Sequence, residues 1–267
     1  MRTLHRMELR RLLTDSSGPV LIACDFDGTL APIAPFPSMA RLPDSTEALL
    51  RALAESGRAT IAILSGRSLD HLRDRVRLPC ILAGNHGLEI SGRGVEYMHP
   101  IAAERTQLIG EARERIESRL GSYSGAWVEN KGLTATIHFR QVDPNLRYKL
   151  VWDCRQELHS FGLNVGMRAG KCSLEIHPRV GWDKGRALSF IRDIAGLQDS
   201  RCMIFGDDST DESMFRALPS EITVRVGRAA RTQARYFLSG TAAVSSTLEQ
   251  TLEFLTARSS SLACAAG

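Results

Sequence analysis

The sequence predicts an α/β fold in which an open parallel sheet with covering helices carries an inserted α+β layer. Three observations predict it. Short apolar runs alternate with helix-period segments from the start of the chain. Residues 104–179 then change grammar, to an αββαββ order with polar alternation and hairpin-like neighbours. Beyond 180 the first pattern resumes, with "RCMIFG" as a further apolar run. The 267 residues therefore divide into a core, 1–103 with 180–267, and an inserted domain, 104–179.

The elements follow in order. "MRTLHRMELRRLL" is basic and amphipathic, without the continuous apolar stretch of a secretory signal, and reads as a surface helix. "PVLIAC" (19–24) is the first core strand. "PDSTEALLRALAESG" (43–57) is a helix, with Asp44 as N-cap, Glu47 three residues on and Gly57 as its stop. "ATIAIL" (59–64) is a second strand, ending in "SGR" ahead of a helix. "PCILAG" (79–84) is a third, ending in "NHG", and "RCMIFG" (201–206) a fourth, ending in "DDSTDE". Within the insert, 104–120 and 144–162 are helices, and "AWVENKG", "TATIHFR", "NVGMRAGK" and "CSLEIHP" are strands. The tail "ARSSSLACAAG" has nothing to pack against and is expected to be disordered.

Composition narrows the class. The apolar fraction of 43% and charged fraction of 24% are those of an ordinary soluble globular chain. A net charge of +4 suits a small anion, but it is too weak and scattered for a nucleic-acid partner. Cysteines 24, 80, 154, 172, 202 and 264 form no CxxC pair and no metal-ligand spacing, so they read as small buried side chains in a reducing compartment. No apolar run approaches the roughly 20 residues that span a bilayer. A cytoplasmic monomer, away from membranes, is expected.

The chemistry collects where the strands end. Four strand candidates finish at Asp25, Ser65, Asn85 and Asp207. In an open parallel sheet all strand carboxyl ends share one edge, and ligands bind in the crevice beyond it. Residues two apart on an extended chain share a face, so Asp25 and Asp27 both point into that crevice while Phe26 packs away. Gly28 allows the sharp turn that follows. Clustered carboxylates raise one another's pKa unless a cation sits among them, and an oxygen-only cluster suits Mg2+. Burying three acids, Asp25, Asp27 and Asp207, without purpose would cost on the order of several kcal/mol each. Ser65 also fits an N-cap for the helix that follows it, and Lys184 a surface lysine. Ser209 and Glu212 fit a capping box and are assigned to structure.

"DFDGTL", "SGR" ahead of a helix, a later "KG" and "GDDSTDE" resemble the four motifs of the haloacid dehalogenase (HAD) superfamily of phosphohydrolases. The resemblance implies a Rossmann-like HAD core with a cap that closes over the crevice. It implies that Asp25 attacks phosphorus and that Asp27 protonates the leaving oxygen and then takes a proton from water. Mg2+ would be held by Asp25, Asp207, Asp208 and the Asp27 carbonyl, with Asp208 and Asp211 completing or orienting the shell. Ser65 and Lys184 would grip phosphate, and Thr29 and Asp211 would also meet the substrate.

The insert sharpens this. Its strands carry Glu129, Lys131, His138, Arg140, Lys171 and Glu175, for which a solvated sheet face is the plain alternative. Glu175, among apolar neighbours, fits that alternative least. "GNHGLE", "VENKGLTATIHFR", "SLEIHP" followed by "GWDKG", and "GDDSTDESMF" resemble the trehalose-6-phosphate phosphatase family from about residue 20 to 230. That implies sugar hydroxyls on Glu129, Lys131 and Glu175, with Arg140 also assigned to substrate. It implies Asn85, His86 and Arg67 along the seam between core and cap. The expected ligand is a small sugar phosphate, and any coupling to a trehalose-phosphate synthase would be non-covalent. Alternatives are another ester on the same fold, such as sucrose, glucosylglycerol or mannosylglycerate phosphate, and a non-catalytic phospho-sugar sensor.

Overall fold

The computed structural model describes residues 2–14, 18–170 and 172–265, with side chains followed to residue 257. The chain divides into two compact units, residues 1–96 with 183–267 and residues 97–182. In chain order the strands are β1 (Arg2–Thr3), β2 (Val20–Cys24), β3 (Ala59–Leu64), β4 (Ile81–Gly84), β5 (Glu89–Gly92), β6 (Val95–Met98), β7 (Trp127–Asn130), β8 (Ala135–His138), β9 (Val165–Ala169), β10 (Ser173–Pro178), β11 (Arg201–Gly206), β12 (Ile222–Val226) and β13 (Tyr236–Leu238). The helices are α1 (Arg6–Thr14), α2 (Asp44–Glu55), α3 (Leu69–Arg73), α4 (Pro100–Glu104), α5 (Thr106–Glu117), α6 (Pro144–His159), α7 (Lys184–Ile194), α8 (Glu212–Ala217) and α9 (Thr241–Ala265).

Among the described residues the larger sheet runs β1-β13-β12-β11-β2-β3-β4-β5-β6. It is parallel from β1 to β4, and β5 turns it antiparallel. Every residue of β2 and β3 is buried, as expected of strands covered on both faces. The central neighbours β11, β2, β3 and β4 are the four strands expected to end in functional side chains, and they lie side by side. Their carboxyl ends therefore deliver Asp207, Asp25, Ser65 and Asn85 to one edge. The core beneath gathers Leu9 and Leu13 of α1, Leu50 and Leu53 of α2 and Val244 and Leu248 of α9 against the strands.

Residues 97–182 build their own core. The order α5, β7, β8, α6, β9, β10 gives the expected αββαββ layer, with an antiparallel sheet ordered β7-β8-β10-β9. One sheet face presents Ala135, Ile137, Leu174, Ile176 and Val165 to Ile109, Ala112 and Ile116 of α5 and Leu150, Cys154 and Leu158 of α6. The other face is polar by the same two-residue alternation.

Three local expectations are corrected. Asp44 is not a cap: Pro43 holds that position in extended geometry, and Asp44 opens α2, where its charge meets the positive helix end. The tail is not disordered through 265, because α9 continues to Ala265, each added residue gaining one helical bond at little cost. Residues 266 and 267, and Lys171 of the insert, lie outside the described residues. The supposed capping box of Ser209 and Glu212 is shifted one residue, as described below. Cys24, Cys80, Cys154 and Cys202 are buried thiols and Cys172 is half-buried, all unbridged. No helix among the described residues is long and apolar enough to cross a membrane.

One buried hydroxyl adds to the packing of the amino-terminal segment. Tyr236 of β13 is fully buried, donates to Glu8 Oε1 at 2.9 Å and accepts from Arg2 Nη2 at 3.2 Å. Tyr236→Phe should therefore cost about 1 kcal/mol, read as a lower urea midpoint with an unchanged slope. An unchanged midpoint would mean the pair does not hold α1.

Candidate active site

Lys184 begins α7, whose N-cap Asp183 accepts from the Arg186 amide at 2.9 Å. Its ammonium is buried and donates to Asp25 Oδ1 at 2.5 Å and to Asp211 Oδ1 at 2.7 Å. Asp25, Asp207 and Asp211 each offer a carboxylate oxygen within 4.8 Å of the others. Asp207 Oδ1 is buried with no hydrogen-bond partner among the described residues. A Cβ on Gly28, which turns at φ +87°, would run into the Asp207 carboxylate, so glycine is what allows the two loops to touch.

The electrostatics follow from burial. Burial pushes the Asp25 carboxyl up, Lys184 pulls it down, and Asp211 and Asp207 push it up again, for a net rise. Burial works against the Lys184 charge, yet Asp211 and Asp25 outweigh it and hold the ammonium above the usual lysine range. Asp207 is pushed up to about 6 by burial and by Asp211. Three carboxylates thus face one ammonium. That charge excess, the unpartnered Asp207 oxygen and the all-oxygen donor set fit a hard dication such as Mg2+.

Asp27 is held apart from this cluster. Arg67 Nε and Nη2 donate to its two oxygens, both at 2.7 Å, a bidentate clamp made by a buried guanidinium lying 5.4 Å over the Phe26 ring. Arg67 Nη1 and Thr29 Oγ1 are buried without partners among the described residues, so both donors are unused. Ser65 does not cap α3; Ser68 does, accepting from the His71 amide at 3.3 Å. Ser65 lies buried at the end of β3, where its Oγ accepts from the Arg67 amide at 3.2 Å.

After β4 the chain adopts positive φ at both Asn85 (48°) and His86 (58°), uncommon for residues with side chains. Glu89 Oε1 stabilises the turn, accepting from Asn85 Nδ2 and the Leu69 amide, each at 2.7 Å. Burial pushes the Glu89 carboxyl up against those two bonds. Asn85 N donates to Arg67 O at 2.6 Å and His86 N to Ser65 O at 2.8 Å, so this turn also fixes the backbone that carries Arg67.

Asp208 stands outside the acid cluster. It is exposed and caps a short helical turn, with its oxygen accepting from Ser209 N at 2.7 Å. The reciprocal partner is Asp211, whose Oδ2 accepts from Asp208 N at 2.9 Å. The capping box is therefore Asp208 with Asp211, because the extended backbone at Asp208 starts the turn one residue earlier than expected. Glu212 instead accepts from Gln233 N at 2.7 Å.

The residues assigned to sugar lie in the second unit, Glu129 and Glu175 on its polar sheet face. The register aligns Glu129, Thr136, Glu175 and Arg168 in one row across β7, β8, β10 and β9. Glu175 Oε1 accepts from Arg168 Nη1 at 3.2 Å, and Glu129 pairs with His138 at 2.8 Å. Trp127 stacks on His138 at 4.1 Å. Lys131 follows β7, and Arg140 is exposed just past β8, its carbonyl accepting from Arg147. Sequence reasoning missed Glu89 and the Arg67–Asp27 clamp. Glu89, four residues beyond Asn85 in "GNHGLE", was within reach of a motif reading; a clamp spanning 40 residues had no local signal.

The sequence profile described as trehalose-phosphatase matches residues 23–242. An uncharacterized glycosyl hydrolase of Mycobacterium tuberculosis is 35% identical over 218 residues, 79% of this chain and 16% of that protein. A trehalose-phosphate phosphatase of Mycobacterium ulcerans is 35% identical over 210 residues, 76% of this chain and 52% of that protein. The chain thus spans about half, or less, of these relatives. The solved C-terminal domain of C. albicans trehalose-6-phosphate phosphatase is similar with a TM-score of 0.82 at 24% identity, covering 94% of this chain and 98% of that one. At that identity the likeness speaks to the fold.

Asp207 makes stability depend on pH in a definite direction. The folded carboxyl keeps its proton up to about 6, whereas an unfolded one releases it near 3.8. The folded state therefore binds more protons across that window, and stability falls as pH rises through it. In chelator, Asp207→Asn should be more stable than the parent by roughly 2–3 kcal/mol at pH 7.5, with the gain fading near pH 4. Saturating Mg2+ should reverse the order. Urea unfolding at several pH values checks this; a gain that ignores pH would overturn the assignment.

Proposed function

The chain belongs to the trehalose-phosphatase family, and from that premise we propose that it hydrolyses trehalose 6-phosphate to trehalose and phosphate. The observation that carries the reading is a buried Asp25, steadied by Lys184, beside an acid cluster with an unpartnered oxygen. Asp25, Asp207 and Asp211 would hold Mg2+, with the Asp27 carbonyl added by the family resemblance and Asp208 bracing Asp211. That ion supplies charge neutralisation between the phosphate and its attacker.

Asp25 Oδ attacks phosphorus; the bond to the sugar oxygen breaks, and Asp27 protonates that oxygen. Water then gives a proton to Asp27 and attacks the aspartyl-phosphate, returning Asp25 and releasing phosphate. Lys184 has three donors and spends two on Asp25 and Asp211, leaving one for a phosphate oxygen. Arg67 Nη1 and Thr29 Oγ1 offer two more. Ser65 backs the Arg67 segment and takes a phosphate oxygen through its hydroxyl. Arg67 turns the Asp27 carboxyl and keeps it from the acid cluster.

Substrate choice is assigned to Glu129, Lys131, Arg140 and Glu175, with Asn85 and His86 also meeting substrate. Carboxylates and ammonium groups are natural partners for a disaccharide's hydroxyls, and polar groups built for two rings go unpaired on a smaller ester.

Phosphate release across a panel of sugar phosphates tests this. Trehalose 6-phosphate should outrun glucose 6-phosphate and sucrose phosphate, chelator should stop the reaction, and Asp25→Asn should be inactive. Glu175→Ala should lower kcat/KM for the disaccharide ester by about tenfold, mostly through KM. Equal rates across the panel would remove the substrate claim. Turnover by Asp25→Asn at the parent rate would remove the mechanism.

A further inference from the structure

Among the described residues, strand β9 ends the four-stranded sheet and pairs only with β10. Asn164 and Gly170 share backbone hydrogen bonds with Arg179 and Ser173 at the two ends of that pairing. Alternation along an antiparallel ladder then turns the N–H and C=O groups of Val165, Met167 and Ala169 away from β10. The Val165 carbonyl accepts from Arg179 Nε at 3.2 Å. No bond outside the ladder reaches the backbone of Met167 or Ala169 among the described residues. Such an edge is a template for another strand.

Beside the edge lies a pocket of about 400 Å3 lined by Arg155, Leu158, His159, Leu163, Met167 and Arg179, among others, with no acidic residue in its wall. Neither Arg155 nor His159 has an acidic partner among the described residues. Arg105 Nη1, donating to the carbonyls of Asn164 and Arg179, brings another cation to the same corner. Leu163 is 81% exposed. On α6, exposed Tyr148 and Trp152 precede Arg155 and His159 at spacings that share one helix face. Aromatic and arginine side chains are the usual anchors of protein interfaces. Val165 and Met167 join the apolar cluster on the α6 side of the sheet, so alternate side chains of an added strand would also point toward α6.

We propose that the β9 edge takes an extended acidic peptide from a partner protein as a fifth strand, its alternate carboxylates facing Arg155, His159 and Arg179. A second copy is a poor occupant, because pairing two β9 edges about a two-fold axis sets each basic pocket beside its mate. None of the residues named on this surface is assigned to the reaction.

Fluorescence anisotropy of the full chain with labelled octapeptides tests it, using alternating valine–glutamate, valine–lysine and valine–threonine sequences. The glutamate peptide should bind at least about tenfold tighter than the other two and weaken as salt rises. Arg155→Glu combined with His159→Glu should abolish that binding and admit the lysine peptide, at an unchanged thermal midpoint. Met167→Pro, which removes an outward N–H but no bond to β10, should weaken the glutamate peptide without changing the charge preference. If that variant fails to fold, the charge reversal alone decides. Equal binding of all three peptides, or binding of none, overturns the proposal. So does a peptide-free dimer that the charge reversal dissociates or tightens, since the edge then belongs to a second copy.

Discussion

One ammonium among three carboxylates is the constraint on which the rest of the larger unit depends. Lys184 touches Asp25 and Asp211 directly, and Asp207 lies against both acids. A lysine at the first position of a helix faces the positive end of the helix dipole, so α7 gains nothing from it locally. Its position makes sense only through the acids that it steadies. Asp211 in turn has two duties, since one oxygen takes the ammonium and the other closes the capping turn with Asp208. Charge balance and backbone geometry are therefore the same problem at this edge.

The second acid of the first motif is governed differently. Asp27 faces a guanidinium whose backbone is tied to the Asn85–His86 turn, and that turn is held in left-handed geometry by Glu89. Backbone of this kind costs of order 1 kcal/mol or more per residue and persists only where neighbours over-determine it. The loops after β3 and β4 are thus tied to the second acid by hydrogen bonds. The backbone that follows β4 is bonded to the residue that clamps Asp27, although β4 supplies neither partner of the clamp.

Much of this was legible in the sequence, for identifiable reasons. The buried strands β2, β3, β4 and β11 were readable because parallel strands are continuous apolar runs, and their ends named Asp25, Ser65, Asn85 and Asp207. The αββαββ layer was readable from alternation, as in "SLEIHP", whose burial alternates residue by residue. The β5–β6 hairpin was missed although "GRG" signals its turn, with Arg93 and Gly94 both at positive φ. Strands β12 and β13 were missed because Arg225 interrupts the apolar run of "ITVRV" and "YFL" is only three residues long. The cap at Asp208 was misplaced by one residue, since Ser209–Glu212 and Asp208–Asp211 both satisfy the same spacing. What decides between them is the backbone angle at Asp208, which no pattern of residue types encodes.

The close approach of main chain to carboxylate at Gly28 and Gly206 has an evolutionary corollary. A Cβ at either position would enter Asp207 or Asp211 respectively. No amino acid is smaller than glycine, so drift at these two sites has a single direction, outward into an acid. Neutral wandering is closed at both positions. Such positions act as fixed datum points from which the spacing of the charged groups is set.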